Sequence, residues 1–175
     1  MSVETRRLVL TPVTPADEWR LWPLLSCPIT MWNWGEPLTR AGVADWIEGS
    51  EETRERFGLG RFLLHGRESG RLIGDCGFFT WWRGGEALID VGWVIGHRHW
   101  RQGYATEALP PLLDALFALG HREAWAKMAV NNPASWRTAE RLGFTRVGRF
   151  HEHEMRWDPA YAYRLRKGDR PVVNK

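Results

Sequence analysis

The hydrophobic pattern of the first half of the chain predicts strands with a helical region between them. Apolar residues alternate with polar ones, or form short runs, in Arg7 to Thr11, Arg61 to His65, Arg71 to Thr80 and Ala87 to Ile95. The turns Gly66 to Gly70 and Arg83 to Gly85 join the last three of these stretches. Short turns of this kind connect antiparallel neighbours, so the three strands are predicted to form a meander.

Two helices are predicted between the first and second strands. The first begins near Thr14, because Thr14 and Asp17 have the spacing of a capping box and Pro15 suits the first helical position. Its apolar face is predicted to consist of Trp19, Trp22 and Leu25. The second helix begins after Thr39, which is a good N-cap, and runs toward Phe57.

The stretch Asp90 to Leu116 passes from a strand through a polar, glycine-bearing loop into a helix rich in alanine and leucine. Backbone N–H groups in the first turn of a helix have no intrahelical partner, so such a loop can present several donors to a phosphate. Gly103 suits this role, because a side chain there would hold an anion away from the backbone. The sequence therefore predicts an anion site at the start of this helix.

Two consecutive prolines, Pro110 and Pro111, lie inside the same predicted helix. Each removes a backbone hydrogen bond and crowds the residue four positions back, at a cost of roughly 3 kcal/mol or more. The helix is therefore expected either to kink at Ala108 to Leu109 or to have a first turn that is a semi-separate unit. One apolar face nevertheless continues across the prolines, formed by Leu109, Leu112, Leu113, Leu116 and Phe117.

The last third of the chain completes a pattern of mixed strands and helices. A helix is expected to begin at Asn132, which precedes a proline, and to end near Gly143. Strands are expected at His121 to Val130, Thr145 to Phe150 and Ala160 to Leu165. Residues 168–175 are polar and basic and are expected to form a frayed tail.

Composition narrows the classes of function. Hydrophobic residues make up 43% and charged residues 26% of the 175 residues, an ordinary balance for one globular domain spanning residues 1–175. The net charge is only +3 and the basic residues are scattered, which argues against a nucleic-acid face. No apolar run is long enough to cross a bilayer, and two cysteines are too few for a disulfide framework. A cytoplasmic location is therefore expected.

Histidines at a spacing of two raise the question of a metal. His97 with His99, and His151 with His153, would each face one side of a strand. No third ligand recurs at a matching spacing, so no metal site is predicted.

Two motifs in the second half resemble the GNAT N-acetyltransferase superfamily, and most closely its RimJ/RimL-like branch. The first is WRQGYATEAL at Trp100 to Leu109, and the second, about thirty residues later, is NPASWRTAERLGF at Asn132 to Phe144. The likeness extends from the N-terminal ETRRLVLTP to the last predicted strand. It implies an α/β GNAT fold, in which a single domain has a mixed, mostly antiparallel sheet flanked by helices and two strands splay into a V that binds the cofactor.

The resemblance also implies acetyl-CoA as co-substrate, with its pantetheine arm in the V and its pyrophosphate on the loop before the helix. The positions that match this role are Val94, Ile95, Arg101, Gln102, Gly103, Tyr104, Ala105, Thr106, Asn132 and Ser135. Arg101 and the nearby Arg98 are open to a second interpretation, as solvated surface arginines without a ligand.

Acetyl transfer needs a proton acceptor for the amine and a donor for the developing oxyanion. The resemblance places the oxyanion donor among backbone N–H groups near Val94 or Ile95. Asp90 is the first candidate for the base, acting through a water, and Glu86 is the second. Either carboxylate could instead be a solvated charge at a strand end.

The proton donor to the departing sulfur is the point where this chain differs most from its superfamily. Many members use a tyrosine at the position that is Ala139 here. Ser135 is the replacement that we favour, and its alternative role is to cap its own helix.

Aromatic residues and carboxylates indicate an acceptor that bears an amine. The candidates for binding it are Trp32, Trp34 and Trp82, with Trp81, Glu152 and Glu154 as further groove residues. Trp32 and Trp34 could alternatively be loop aromatics that fill the core. An α-amine with a pKa of about 8 is already partly neutral near pH 7, whereas deprotonating a lysine side chain with a pKa near 10.4 costs roughly 4 kcal/mol. A protein or peptide N-terminus is therefore the favoured acceptor. An antibiotic or polyamine acceptor and a non-catalytic CoA-binding module are the alternatives, and a homodimer is left open.

Overall fold

The computed structural model describes residues 2–34, 36–151 and 159–169, and its central feature is one sheet. Within this part of the chain the sheet has eight strands: β1 (Val3–Glu4), β2 (Leu8–Pro12), β3 (Arg61–Gly66), β4 (Leu72–Arg83), β5 (Glu86–Ile95), β6 (Glu123–Ala129), β7 (Thr145–Phe150) and β8 (Ala160–Arg166). Their spatial order is β1-β2-β3-β4-β5-β6-β8-β7. The α-helices that flank it are α1 (Glu18–Leu25), α2 (Arg40–Phe57), α3 (Tyr104–Ala118) and α4 (Pro133–Arg141). A mixed, mostly antiparallel sheet flanked by helices confirms the predicted fold class.

Strands β1 to β5 follow one another in the sheet as they do in the chain, and each is antiparallel to the next. This confirms the predicted meander. The sequence does not predict β1, because Val3 and Glu4 alone are too short to show an alternation. The N-cap of α2 is confirmed as well, since the Thr39 side chain accepts a hydrogen bond from the Gly42 N–H at 3.1 Å.

Strands β5 and β6 are parallel and pair at one position, where Asp90 lies opposite Trp125. On the far side, β6 pairs with β8 along its whole length, from Glu123 to Ala129. The backbones of β5 and β6 therefore separate beyond Asp90, as the predicted V requires. Main-chain groups on the facing edges of the two strands are left for another partner.

Apolar residues pack on both faces of the sheet. The larger cluster joins α3 and α4 to one face and contains Phe78, Leu109, Leu112, Leu116, Ala139 and Tyr163. The smaller cluster joins α1 and α2 to the other face and contains Leu21, Leu25, Met31, Val43, Ile47 and Val94. Both cysteines are free thiols. No helix among the described residues combines the length and the apolarity needed to cross a membrane.

The buried face of α1 differs from the predicted one. Leu21, Leu24 and Leu25 are buried, whereas Trp19 is 65% exposed and stacks against Arg20 at 4.3 Å. The predicted capping box is present, but the residues that follow it, Pro15–Asp17, form a 3₁₀ turn before the α-helix begins. The tighter turn rotates the later positions relative to a continuous α-helix, so Leu21 and Leu24 join the predicted Leu25 in the core, the half-buried Trp22 packs against the same cluster, and only Trp19 of the predicted face points to solvent.

Helix α3 continues without interruption across Pro110 and Pro111. The predicted separate first turn is therefore wrong. Leu109, Leu112, Leu113 and Leu116 have no exposed surface, and their burial offsets the backbone bonds that the prolines remove. The first turn of α3 is thus held rigidly by the same helix that packs into the core.

Candidate active site

Two adjoining clefts open where β5 and β6 separate. The α3 cleft, of about 590 Å³, lies between the end of β5, the loop before α3 and the start of α4. The β5 cleft, of about 320 Å³, lies between the middle of β5, the end of β6 and helix α2. The residues that line both define their junction: Asn33, Trp34, Trp93, Asn132 and Ser135. A ligand reaching through the V from one cleft therefore meets a ligand in the other at this junction.

The loop before α3 has an unusual backbone that forms the end of the α3 cleft. Gly103 is the N-cap of the helix and has a φ of 79°, and Arg101, at 62°, is the non-glycine residue with positive φ among those that the structure describes. Such a conformation costs of order 1 kcal/mol or more at a residue with a side chain, and it commonly occurs at ligand sites. The Trp100 indole fixes the loop by donating to the Ile95 carbonyl at 2.7 Å.

The start of α3 fits a phosphate group. A Cβ built on Gly103 would contact Thr106 Oγ1 at 3.6 Å and Arg7 Nη2 at 3.7 Å, so glycine leaves the space between these two groups and the first turn free of a side chain. The amides of that turn have no intrahelical partner and point toward this space. The cleft is lined by Arg101, Arg137 and Arg141, and no carboxylate is found among the described residues that line it. These features favour a polyanion.

Glu107 ties the first turn of α3 to the N-terminal strands. It accepts hydrogen bonds from the Thr5 hydroxyl at 2.7 Å, the Arg7 N–H at 2.7 Å and the Arg7 Nε at 2.6 Å. Burial alone would raise the pKa of Glu107, but the hydrogen bonds from Thr5 and Arg7 hold it below its usual value. The Arg7 guanidinium also lies over the Tyr104 ring at 4.4 Å, next to the first turn of α3.

The main-chain groups of β5 alternate between β4 and the open V. The Gly96 N–H donates to the Ile73 carbonyl at 2.9 Å, so Gly96 and Ile73 form a hydrogen-bonded antiparallel pair. By the two-residue alternation of such a ladder, the N–H and C=O of Val94 also point to β4, whereas those of Trp93 and Ile95 point to the V. The predicted backbone donor is thus not at Val94. The N–H groups of β5 that face the V are those of Ile95 and of Trp93, and Trp93, which the sequence prediction missed, lines both clefts.

Asn132 and Ser135 lie together at the start of α4. The Asn132 side chain accepts a hydrogen bond from the Ser135 N–H at 3.2 Å, so Asn132 is the cap that the sequence predicts. Because Asn132 has that role, the Ser135 hydroxyl is not needed to cap the helix. It lies at the junction of the two clefts, where the sequence hypothesis requires a proton donor.

The two candidate carboxylates occupy different places. Asp90 lines the β5 cleft, and its Oδ2 lies 3.9 Å from Lys127 Nζ, with both side chains largely buried. Glu86 is exposed at the β4–β5 turn, opposite Arg83, and lines neither cleft. Asp90 lies four positions further along β5, at a distance of about 13 Å. The structure therefore does not bring Glu86 to the site.

The predicted acceptor aromatics are only partly brought together. Trp34 lines both clefts, and Trp32 lines the α3 cleft with 52% of its surface exposed. Trp82 is 56% exposed beneath Arg56 and lines neither cleft, while its neighbour Trp81 is buried against Trp125 and Phe150. Glu152 and Glu154 lie outside the described residues. Of the predicted cofactor residues, Gln102 also lines neither cleft and donates to the Arg98 carbonyl.

Two aromatic residues that the sequence prediction missed complete the β5 cleft. Trp46 packs edge-on against Trp34 at 5.4 Å and against Phe79 at 4.8 Å, and Trp46 and Phe79 both line the cleft. Their helical and strand spacing is that of ordinary core residues, so the sequence alone gives no signal of this role. Together with Asp90 they form a pocket suited to a cationic or amine-bearing ligand.

A buried ion pair lies beneath the β5 cleft. Arg61 donates from Nε to Asp75 Oδ1 at 3.0 Å and from Nη1 to the Gly92 carbonyl at 2.9 Å, and neither charged side chain has exposed surface. Burial raises the pKa of Asp75, and the Arg61 guanidinium opposes that rise. The guanidinium lies over β4 and β5 where a Cβ on Gly92 would be 3.1 Å from its Nη1. Arg61 therefore fixes β5 next to Trp93.

The described residues contain no group of three or more His, Cys, Asp or Glu side chains arranged to hold a metal ion. His97 instead contacts the Thr30 hydroxyl at 3.2 Å and the Cys27 thiol at 3.5 Å. His153 lies outside the described residues.

A family model described as an acetyltransferase (GNAT) domain matches residues 7–145 of the chain. The chain is 31% identical over 157 residues to the uncharacterized N-acetyltransferase p20 of Bacillus licheniformis, covering 87% of each protein.

Solved structures share the same fold. A putative GnaT-family acetyltransferase from Bordetella pertussis superposes with a TM-score of 0.79 at 23% identity, covering 94% of this chain and 98% of that one. A ribosomal-protein-S5-alanine acetyltransferase from Vibrio fischeri gives 0.77 at 15% identity, covering 98% and 99%. A spermidine N-acetyltransferase from Vibrio cholerae, in complex with CoA and spermine, gives 0.73 at 20% identity, covering 93% and 97%.

Proposed function

This chain belongs to the GNAT acetyltransferase family and is an acyltransferase, and from that premise we propose that it moves acetyl from acetyl-CoA to the N-terminal α-amine of a protein or peptide. One observation carries the proposal. A cationic cleft with an anion-binding helix start and an aromatic cleft with a carboxylate meet at Trp93 and Ser135. Two substrates bound in these clefts bring a thioester and an amine together.

The α3 cleft provides the groups that acetyl-CoA needs. The amides from Arg101 to Thr106 would hold the pyrophosphate, with Gly103 leaving room for it. The outward-facing main chain of Trp93 and Ile95 would pair with the pantetheine amides as an added strand does. Asn132 would both cap α4 and contact the pantetheine arm.

The β5 cleft and the junction provide the chemistry. The amine nitrogen attacks the thioester carbonyl carbon, and the carbonyl oxygen takes negative charge that an N–H of Trp93 or Ile95 stabilises. Asp90 accepts the proton that the amine loses, through a water. Ser135 donates a proton to the thiolate as the C–S bond breaks, and a thiol of pKa about 8.5 is already a fair leaving group.

The kind of base in the β5 cleft supports the α-amine as acceptor. Among the described residues that line this cleft the carboxylate is Asp90, whose Oδ2 lies 3.9 Å from Lys127 Nζ, and a carboxylate is a weak base. An α-amine with a pKa near 8 needs little help to become neutral, whereas a lysine side chain needs roughly 4 kcal/mol. A RimJ/RimL-like preference for protein N-termini follows from this argument.

A second candidate acceptor is a small polyamine. The aromatic walls from Trp34, Trp46 and Phe79, together with Asp90, form a surface that also attracts a cation. The similar fold of a spermidine N-acetyltransferase is consistent with it.

The proposal is tested by CoA release with a panel of acceptors. Peptides with a free N-terminus should be acetylated, and the same peptides with a blocked N-terminus and an internal lysine should not. Mass spectrometry of the product locates the acetyl group. Preference for spermidine or an aminoglycoside over every peptide would overturn the assignment to protein N-termini.

The role of Ser135 is tested separately. Ser135→Ala should lower kcat by about 10²- to 10⁴-fold while the affinity for acetyl-CoA stays near that of the unchanged protein. Ser69→Ala is the matched control, since Ser69 is exposed at the β3–β4 turn and lines neither cleft. An unchanged kcat in Ser135→Ala would remove Ser135 from the chemistry.

A further inference from the structure

Asn33, in the loop between α1 and α2, is a residue of the junction with an unsatisfied hydrogen-bond donor. It lines both clefts. Its Nδ2 is buried, and among the described residues no protein group accepts a hydrogen bond from it. Leaving a buried donor without a partner costs about 1–3 kcal/mol, so Nδ2 is a donor for a ligand group or a water at the junction of the clefts.

Hydrogen bonds and packing fix the loop on both sides of Asn33. The Met31 N–H donates to the Cys27 carbonyl at 2.9 Å, and the Trp34 N–H donates to the Met31 carbonyl at 2.8 Å. Met31 has no exposed surface, and Trp34 packs against Trp46. An amide on a loop fixed in this way does not have to reorganise when charge develops nearby, and such preorganisation is what makes a donor effective in a transition state.

The chemistry at the junction selects the partner. A bound thioester offers a carbonyl oxygen and a sulfur, and an incoming amine offers N–H donors and the lone pair that attacks. An amide N–H needs an acceptor, and the carbonyl oxygen is the strongest acceptor present. Its strength as an acceptor rises further when the π electrons of the carbonyl bond move onto it.

We propose that Asn33 is a catalytic residue, whose Nδ2 donates to the acetyl carbonyl oxygen and stabilises the oxyanion together with the backbone N–H of Trp93 or Ile95. This inference rests on the proposed acetyl transfer. In the step, a bond forms between the amine nitrogen and the carbonyl carbon, and the electron pair of the carbonyl π bond moves to the oxygen. The electron pair on oxygen then re-forms the carbonyl π bond as the C–S bond breaks and its electron pair leaves with sulfur, which takes a proton from Ser135, and the amine proton passes through a water to Asp90.

The first test removes the donor. Asn33→Ala should lower kcat by about 10²- to 10³-fold, the loss typical of one oxyanion donor, with little change in the dissociation constant of acetyl-CoA measured by calorimetry. Asn131→Ala is the matched control, because Asn131 is exposed and lines neither cleft. If Asn33→Ala lowers acetyl-CoA affinity and melting temperature as well as kcat, then Asn33 is structural and the inference is overturned.

The second test separates a donor from an acceptor. If the N–H end of the amide is the active group, Asn33→Asp should be at least as slow as Asn33→Ala, since a carboxylate repels the oxyanion. Recovery of activity in Asn33→Asp would mean that the oxygen of Asn33 accepts from the amine, and it would overturn the assignment.

The third test does not depend on turnover. Infrared spectra of bound acetyl-CoA labelled with ¹³C at the carbonyl report its polarisation in the absence of an acceptor. Binding to the wild-type protein should shift the carbonyl band to lower wavenumber than in free acetyl-CoA, and Asn33→Ala should reverse part of that shift. A band identical in the two proteins, with kcat also unchanged, refutes the role of Asn33. Failure of the unchanged protein to acetylate any amine would refute the proposed function instead.

Discussion

Removing one member of the buried Arg61–Asp75 pair should be among the most destabilising changes in this domain. The Asp75 carboxylate has no exposed surface, and Arg61→Met removes its guanidinium partner. Breaking a buried pair in this way costs about 3–5 kcal/mol, out of a total free energy of unfolding of about 5–15 kcal/mol. For a domain of this size the melting temperature should fall by about 2–4 °C for each kcal/mol, or about 6–20 °C in all.

A double-mutant cycle isolates the charge from the loss of packing. Asp75→Leu alone should also be strongly destabilising, because Arg61 is then the uncompensated charge. The double variant, Arg61→Met with Asp75→Leu, buries no charge and should be clearly more stable than either single variant. The expected coupling is about 3 kcal/mol or more. The exposed pair formed by Arg67 and Glu4, at 3.1 Å, is the control and should couple by less than about 1 kcal/mol.

Urea unfolding followed by tryptophan fluorescence measures these differences, since the chain has 12 tryptophans. The same double variant also tests the link to the site, because it lacks the bond from Arg61 to the Gly92 carbonyl beside Trp93. Its stability should recover while kcat stays below that of the unchanged protein. Strictly additive free energies in the cycle would refute the reasoning about buried charge.

Three further predictions follow from single contacts. Gly103→Asp should weaken acetyl-CoA binding at least tenfold by calorimetry, because it places bulk and negative charge before the first turn of α3, whereas Gly120→Asp, also at positive φ but with open space around it, should not. The pKa of Glu107 is lowered in the folded state, so the contribution of Glu107 to stability is present above its ordinary pKa of 4.5 and is lost as the pH falls. Glu107→Gln should therefore flatten the pH dependence of the free energy of unfolding in that acidic range. An unchanged pH profile would contradict this. Thr39→Ala removes the cap of α2 and should cost about 1 kcal/mol, seen as a lower melting temperature with unchanged acetyl-CoA affinity.

The parts of this molecule that the sequence predicts well are those fixed by short-range rules. Alternation and turn residues are sufficient for the meander, and the N-caps Thr39 and Asn132 are recognisable because capping depends on a few adjacent residues. The start of α3 at Gly103 is predictable for the same reason. Its glycine, its small residues and its strand-loop-helix order lie within one stretch.

The parts that the sequence does not predict depend on pairing and on faces. Whether Val94 or Trp93 directs its N–H into the V depends on which residues of β5 pair with β4, and one residue of difference reverses the answer. Trp81 and Trp82 are adjacent in the chain, yet one is buried and the other exposed, because successive strand residues point to opposite faces. Asn33 has no distinguishing neighbours in the sequence, and the role proposed for it depends on its loop lying next to β5 and the start of α4.

The position of β8 in the sheet has a consequence for how the protein folds during synthesis. Strands β1 to β5 pair with their neighbours in the chain, so they are able to form as they leave the ribosome. Strand β8 is made after β6 and β7 but lies between them, and its residues Tyr163 and Leu165 are fully buried. The edges of β6 and β7 therefore have no strand partner there until residue 166 has been synthesised. We expect this interval to be when the nascent chain depends most on chaperones, well after its first five strands are in place.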